Sequence, residues 1–171
     1  MSKEPSDMLS EEIDDIMAMI DIFEVMLNKL QSNQEVNMND LKKVINFFRV
    51  YVHMSHNKKE QLIVFPELEK SENLTHKELL KELTSEKHLS EFYIYALIKI
   101  FKHVLKGDAE QQQKLVTLMR KYITLEKKHV QKEKDNILPL CTNLLSPEKN
   151  ERLSIEFKLQ FVLSARESDY S

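Results

Sequence analysis

Glycine occurs once in 171 residues, proline four times and tryptophan not at all. So little glycine and proline argues against a turn-rich β fold or an extended linker, because those two residues punctuate chains that reverse often. There is one cysteine, Cys141, so no internal disulfide can form, and its place among apolar neighbours marks it as a packing residue. No apolar run approaches the ~20 residues that span a bilayer. The opening stretch Met1–Asp7 lacks the apolar core of a secretory signal. These absences together point to the cytoplasm. No basic block with interleaved aromatics is present and the net charge is −3, so neither nucleic acid nor a membrane is expected as a partner. Phosphate loops, paired Cys-x-x-Cys motifs and nucleophile elbows are also missing.

What remains is rich in Leu, Lys, Glu, Ile and Met, residues that keep rotamer freedom in a helix. Leu9, Ile13, Ile16, Met17, Ile20, Phe23, Leu27 and Leu30 recur in steps of three and four, the signature of one buried helix face. Residues 31–39 are polar and read as a loop. A second stripe runs from Leu41 through Val44, Ile45, Phe48 and Val52 to Phe65, with Pro66 marking its end or a kink. A third helix is expected over Lys77–Leu105, closed by the single glycine, Gly107, as a left-handed residue. A fourth is expected over Ala109–Ile137, bounded by Pro139. Ser146-Pro147-Glu148 then opens a short fifth helix, to about Arg166, with serine as its cap. Long helices with short links predict an all-α, antiparallel up-down-up-down four-helix bundle with a short C-terminal fifth helix. The chain reads as a single domain, 1–171, with the four-helix core over about 7–140.

One motif occurs twice. His56-Asn-Lys-Lys-Glu60 is followed by Pro66, and His129-Val-Gln-Lys-Glu133 by Pro139, at matching distance. Residues four apart share a helix face, so each pair addresses one point in the bundle interior. Imidazole with carboxylate suits iron, manganese or zinc, and a carboxylate can bridge two metals. His88 joins this set, because antiparallel neighbours on either side of the Gly107 turn bring it to the height of His129. His76 and His103 have no partner at ligand spacing and read as surface residues.

The segment from Val44 to Leu68, with Phe48, His56, Lys59, Glu60, Phe65 and Pro66, resembles the second helix of the haemerythrin-like (HHE cation-binding) family. Tyr122 to Pro139, with His129, Lys132 and Glu133, resembles that family's last core helix. Glu86-Lys87-His88 is similar to its third-helix Glu-His element, with the spacing off by one. The resemblance covers about residues 9–160. It implies two iron ions bridged by Glu60 and Glu133, one of them also held by His56, the other by His88 and His129. Zinc or manganese would suit the same donors.

The family's first-helix histidine is missing, and aligning the apolar stripe puts Ile13 in its place. His53, which shares a face with His56 and Glu60, is the best replacement. Water is the alternative. Asp15 points away from the stripe, Glu24 lies too far along the axis, and the Met17 thioether matches an oxygen-rich site poorly. Three functions follow from the resemblance. The first is a di-iron protein that binds or senses a diatomic molecule, O2 or NO, in a dry pocket beside Ile13, Ile20, Phe48 and Phe92. The second is a redox enzyme that consumes peroxide or oxidises ferrous iron. The third is a metal-poor bundle with a structural role.

Overall fold

The computed structural model describes residues 4–169. Helix α1 is Pro5–Gln31. Helix α2 is continuous over 38–68, α3 is Leu74–Val104, α4 is continuous over 109–144, and α5 is Pro147–Asp169. There is no strand among the described residues.

The helix starts are set by short polar side chains. Asn37, Asn73 and Asp108 each accept two backbone N–H groups of the turn they open, and Ser146 accepts from Lys149 N. These caps satisfy donors that have no partner inside the helix. Pro5 and Pro147 sit in first turns, where a missing N–H costs nothing. Gly107 closes α3 at φ 85°, and Asn33 takes the same left-handed region after α1 at φ 54°, one of the few residues besides glycine that does so readily.

Side-chain pairs fix the helix directions. Asp14 and Glu24 of α1 pair with Lys134 and Lys127 of α4, so those helices run antiparallel. Glu82 and Glu86 of α3 pair with Lys132 and His129 of α4. Tyr51 of α2 donates to Asp15 of α1, while His56, further on, meets Glu12. The bundle is therefore up-down-up-down.

Two apolar cores form. The larger, at the end holding the α1–α2 and α3–α4 turns, gathers Ile16, Ile20, Phe23, Leu27, Phe48, Val52, Ile94, Leu97, Met119 and Tyr122. Phe23, Phe48 and Tyr122 meet there ring to ring, at centroid distances of 5.0–6.2 Å. The smaller core holds Leu9, Ile63, Val64, Leu68, Leu80, Leu83, Ile137 and Cys141, and takes Leu153 and Phe157 from α5. Burying each such side chain contributes about 1.5–3 kcal/mol. Between the cores lies a slab that is buried yet polar, and it is the candidate site.

Pro139 was expected to bound its helix, and Pro66 to end its helix or kink it. Neither ends its helix: α2 runs on past Pro66 to Leu68, and α4 past Pro139 to Leu144. Proline lacks an N–H and its ring crowds the carbonyl four residues back. The chain accommodates this by widening into π-helical turns just before each proline, Glu60–Val64 and Glu133–Ile137. A longer wide stretch, Phe48–His56, precedes them in α2. Wide turns of this kind cluster at functional sites.

Candidate metal centre

Four helices deliver side chains to the polar slab. Helix α2 supplies His53, His56, Asn57 and Glu60, and α4 supplies Glu126, His129 and Glu133. Helix α3 supplies Lys87 and Ser90, all of these being buried. Helix α1 passes with Ile13, which is fully buried, and with Glu12 at the margin. Both glutamates of the repeated motif begin a wide turn ahead of its proline.

The two carboxylates share their oxygens in a regular way. Glu60 Oε1 and Glu133 Oε2 face His56, with His56 Nε2 at 3.5 Å and 3.1 Å from them. Glu60 Oε2 and Glu133 Oε1 face the other way. There the Lys87 ammonium donates to both, at 2.9 Å from Glu133, and to Asn57 Oδ1 at 3.0 Å. His129 Nε2 lies 2.6 Å from Glu133 Oε1. Glu60 Oε1 and His129 Nε2 have no hydrogen-bond partner. One donor atom from each of His56, Glu60 and Glu133 falls within 4.8 Å of the other two, the spacing of a shared cation.

Each imidazole is braced from behind. His56 Nδ1 is 2.7 Å from Glu12 Oε2, and His129 Nδ1 is 2.8 Å from Glu86 Oε2. The outer carboxylates are held in turn, Glu12 by Lys59 and Glu86 by Lys132. A hydrogen on Nδ1 is the one these carboxylates accept, which turns Nε2 inward, where a metal would take the place of the Nε2 proton. This is how a metal-ligating histidine is oriented.

The electrostatics follow the geometry. Burial raises the Glu60 carboxyl above its usual range, the neighbouring Glu133 carboxylate adds to this, and Lys87 opposes it. Glu133 is driven the other way: burial disfavours its charge, but Lys87, His129 and His56 together hold its carboxyl well below the usual range. Burial would lower both imidazoles, yet the carboxylates outweigh it. His56 is raised, and His129 is pushed up to about 9. Lys87 is likewise raised, because Glu133 and Glu60 outweigh its desolvation.

His56, Glu60, His129 and Glu133 are therefore brought together as the doubled motif predicts. His88 is not among them. It stands exposed on α3, its imidazole 3.5 Å from the Gln61 amide. Lys87 is the inward residue at that height, and adjacent helix positions point about 100° apart. His53 is buried but committed elsewhere: its Nε2 meets Tyr122 Oη at 3.0 Å, and its Nδ1 accepts from Asn57 at 3.2 Å. Burial, with Lys87 nearby, lowers it to about 3, so it is neutral. Nor does Asp15, Glu24 or Met17 take up the place left by Ile13. Asp15 bonds Tyr51 on the outside, Glu24 pairs with Lys127, and Met17 packs against the larger core. Phe92, expected beside a dry pocket, is 65 % exposed and lines nothing in the slab.

Several participants escape a search for ligand motifs: Lys87, Asn57, Ser90, Glu126 and the bracing Glu12, while Glu86 was named only within the Glu-His element and not as a brace for His129. A signal for three of them exists. On α3 the buried positions run Leu80, Leu83, Lys87, Ser90, Ile94, Leu97, Phe101 and Val104 in unbroken steps of three and four, which places Lys87 and Ser90 inside. On α4 the same rhythm through Met119, Tyr122, Glu126, His129 and Glu133 places Glu126 inside.

The donors fit one cation. A position beside His56 Nε2, Glu60 Oε1 and Glu133 Oε2 offers one imidazole and two carboxylates, suited to iron, manganese or zinc, and an oxygen there is otherwise unpartnered. The matching position on the other face of the carboxylates does not fit a second in the same way, since the Lys87 ammonium already uses those oxygens.

Compared with known protein families, residues 4–141 match the sequence model of the hemerythrin HHE cation binding domain. No curated protein matches the chain significantly.

Proposed function

This chain belongs to the hemerythrin HHE cation-binding family, and we propose that it is a cytoplasmic non-haem iron protein that binds or senses a small diatomic molecule, O2 or NO. The observation that carries this reading is the buried His56–Glu60–Glu133 cluster. Two acidic side chains and an imidazole converge in a water-poor slab, and Glu60 Oε1 lacks any hydrogen-bond donor. Lys87 serves the other oxygens of these carboxylates, but leaving Glu60 Oε1 buried without a partner costs free energy.

An iron ion held there would supply open coordination positions and a redox couple. The protein's own residues do the rest. Glu12 keeps the His56 lone pair aimed inward, and Glu86 does the same for His129. Ile13 from α1, with Phe48 and Val52 above and Ile63 and Leu83 below, keeps bulk water from the slab. The Tyr122–His53–Asn57–Lys87 hydrogen-bond chain fixes the polar groups on the α2–α4 side, so they do not turn inward to compete for the open positions.

The test is elemental analysis after anaerobic reconstitution with Fe(II), joined to optical and EPR spectra before and after NO. Iron bound in the wild type, lost in His56→Ala with helicity retained, and a spectrum that changes with NO would support the reading. A fully loaded protein indifferent to both O2 and NO would remove the diatomic ligand from it.

A second reading is favoured by one specific observation. Lys87 already donates to both inner carboxylates, so the slab is partly neutralised without a metal. A bundle that keeps this ion-pair network and binds no metal would be structural. It is the correct reading if reconstitution leaves the wild type without iron, manganese or zinc.

A further inference from the structure

Resting on the reading that the slab holds a cation, we propose that Lys87 is a built-in second cation which makes this a one-metal centre. Glu60 and Glu133 each turn one oxygen toward His56 and the other toward Lys87. That is the division of a carboxylate bridging two positive centres, with an ammonium standing at one of them.

The placement is structural rather than incidental. Lys87 occupies an inward position of the α3 repeat and is 2 % exposed. Its ammonium lies 5.4 Å from the Phe65 ring centroid, so its stem and head are packed from the side as well as paired in front. Asn57 supplies a third acceptor at 3.0 Å, completing the set an ammonium with three hydrogens can use. A metal at this position would need Glu60 Oε2 and Glu133 Oε1 at about 2 Å. Both oxygens are engaged by an ammonium that no hydroxyl or carboxylate of the slab could replace in charge. The remaining imidazole on that side, His129, holds its Nε2 2.6 Å from Glu133 Oε1, so it too is turned to a carboxylate oxygen that Lys87 already engages. A diatomic ligand would then meet a single ion and could not span two.

The experiment uses the full chain, stripped with chelator and dialysed against Mn(II). Metal per chain is measured by elemental analysis, and nuclearity by the EPR hyperfine pattern. The wild type is expected to take one Mn(II) with the spectrum of an isolated ion. Lys87→His and Lys87→Ala, each checked for helicity and melting, are expected to take a second, with an exchange-coupled spectrum in at least the histidine variant. Two ions bound by the wild type would overturn the proposal while leaving the cation reading intact. Folded variants of both kinds that stay at one ion would also overturn it. No uptake of Mn(II) or Fe(II) by any of the three proteins would sink the cation reading itself, and this proposal with it.

Discussion

Replacing Lys87 by methionine should destabilise the metal-free protein strongly. The side chain keeps its length and apolar stem, so packing against Phe65 is largely retained and the change is one of charge. Glu60 and Glu133 are both fully buried, and they lose the ammonium that donates to each. Breaking a buried ion pair by removing one partner costs about 3–5 kcal/mol. In a domain of this size each kcal/mol shifts the melting temperature by about 2–4 °C, so the chelator-treated variant should melt roughly 6–20 °C below the wild type at neutral pH. Two controls sharpen the result. Glu60→Gln combined with Lys87→Met should be less destabilised than Lys87→Met alone, because fewer uncompensated charges remain. Adding Mn(II) should restore much of the loss, since a ligand at a hundred times its Kd stabilises the folded state by about 2.7 kcal/mol. The assay is thermal unfolding followed by circular dichroism. A shift under about 2 °C in the metal-free protein would refute the view of Lys87 as the charge at the centre of the slab, given the magnitude expected for a buried pair.

Glu12→Ala should weaken metal binding about 10–100-fold with little loss of helicity, measured by competition with a chromophoric chelator, because the brace on the His56 imidazole is lost. In the metal-free protein, stability should fall at both pH extremes. The Glu86 carboxyl, which burial alone would raise, is instead held down to about 2, from 4.5, by hydrogen bonds from His129 and Lys132. Its contribution is present above 4.5 and lost as pH drops toward 2. His129 is raised from 6.5 to about 9, so its contribution is complete below 6.5 and disappears as pH climbs through 9; urea titrations across both windows check this. Phe48→Ala should cost about 3–5 kcal/mol in denaturant unfolding, as it empties the contact of Phe23 and Tyr122 in the larger core.

The helices and their order were legible because they depend on local physics. The α1 stripe from Leu9 to Leu30 is buried as its period requires, and Ser146 caps α5 as expected, whereas the Asn37 and Asn73 caps start α2 inside the expected loop and α3 three residues before Lys77. The inward histidines and glutamates of α2 and α4 were legible for the same reason, as i,i+4 pairs on amphipathic helices. Pro139 was read as a stop, and Pro66 as a stop or a kink, because a single chain position does not show whether a helix will widen; packing of Ile63, Val64 and Ile137 into the smaller core holds the chain helical through them.

What a linear chain determines on its own is which residues share a face, since that follows from the helical period alone. Read strictly, the α3 repeat points Lys87 inward and turns His88 out, so even this was present in the sequence, hidden by the preference for a histidine. What only the tertiary structure decides is what those faces meet. The meeting of Lys87 with Glu60, Glu133 and Asn57, the bracing of His56 by Glu12 across two helices, and the diversion of His53 to Tyr122 all join residues far apart in the chain. Charge in a buried slab is balanced by whatever the neighbouring helices bring to the same height, and no period within one helix encodes that height in another.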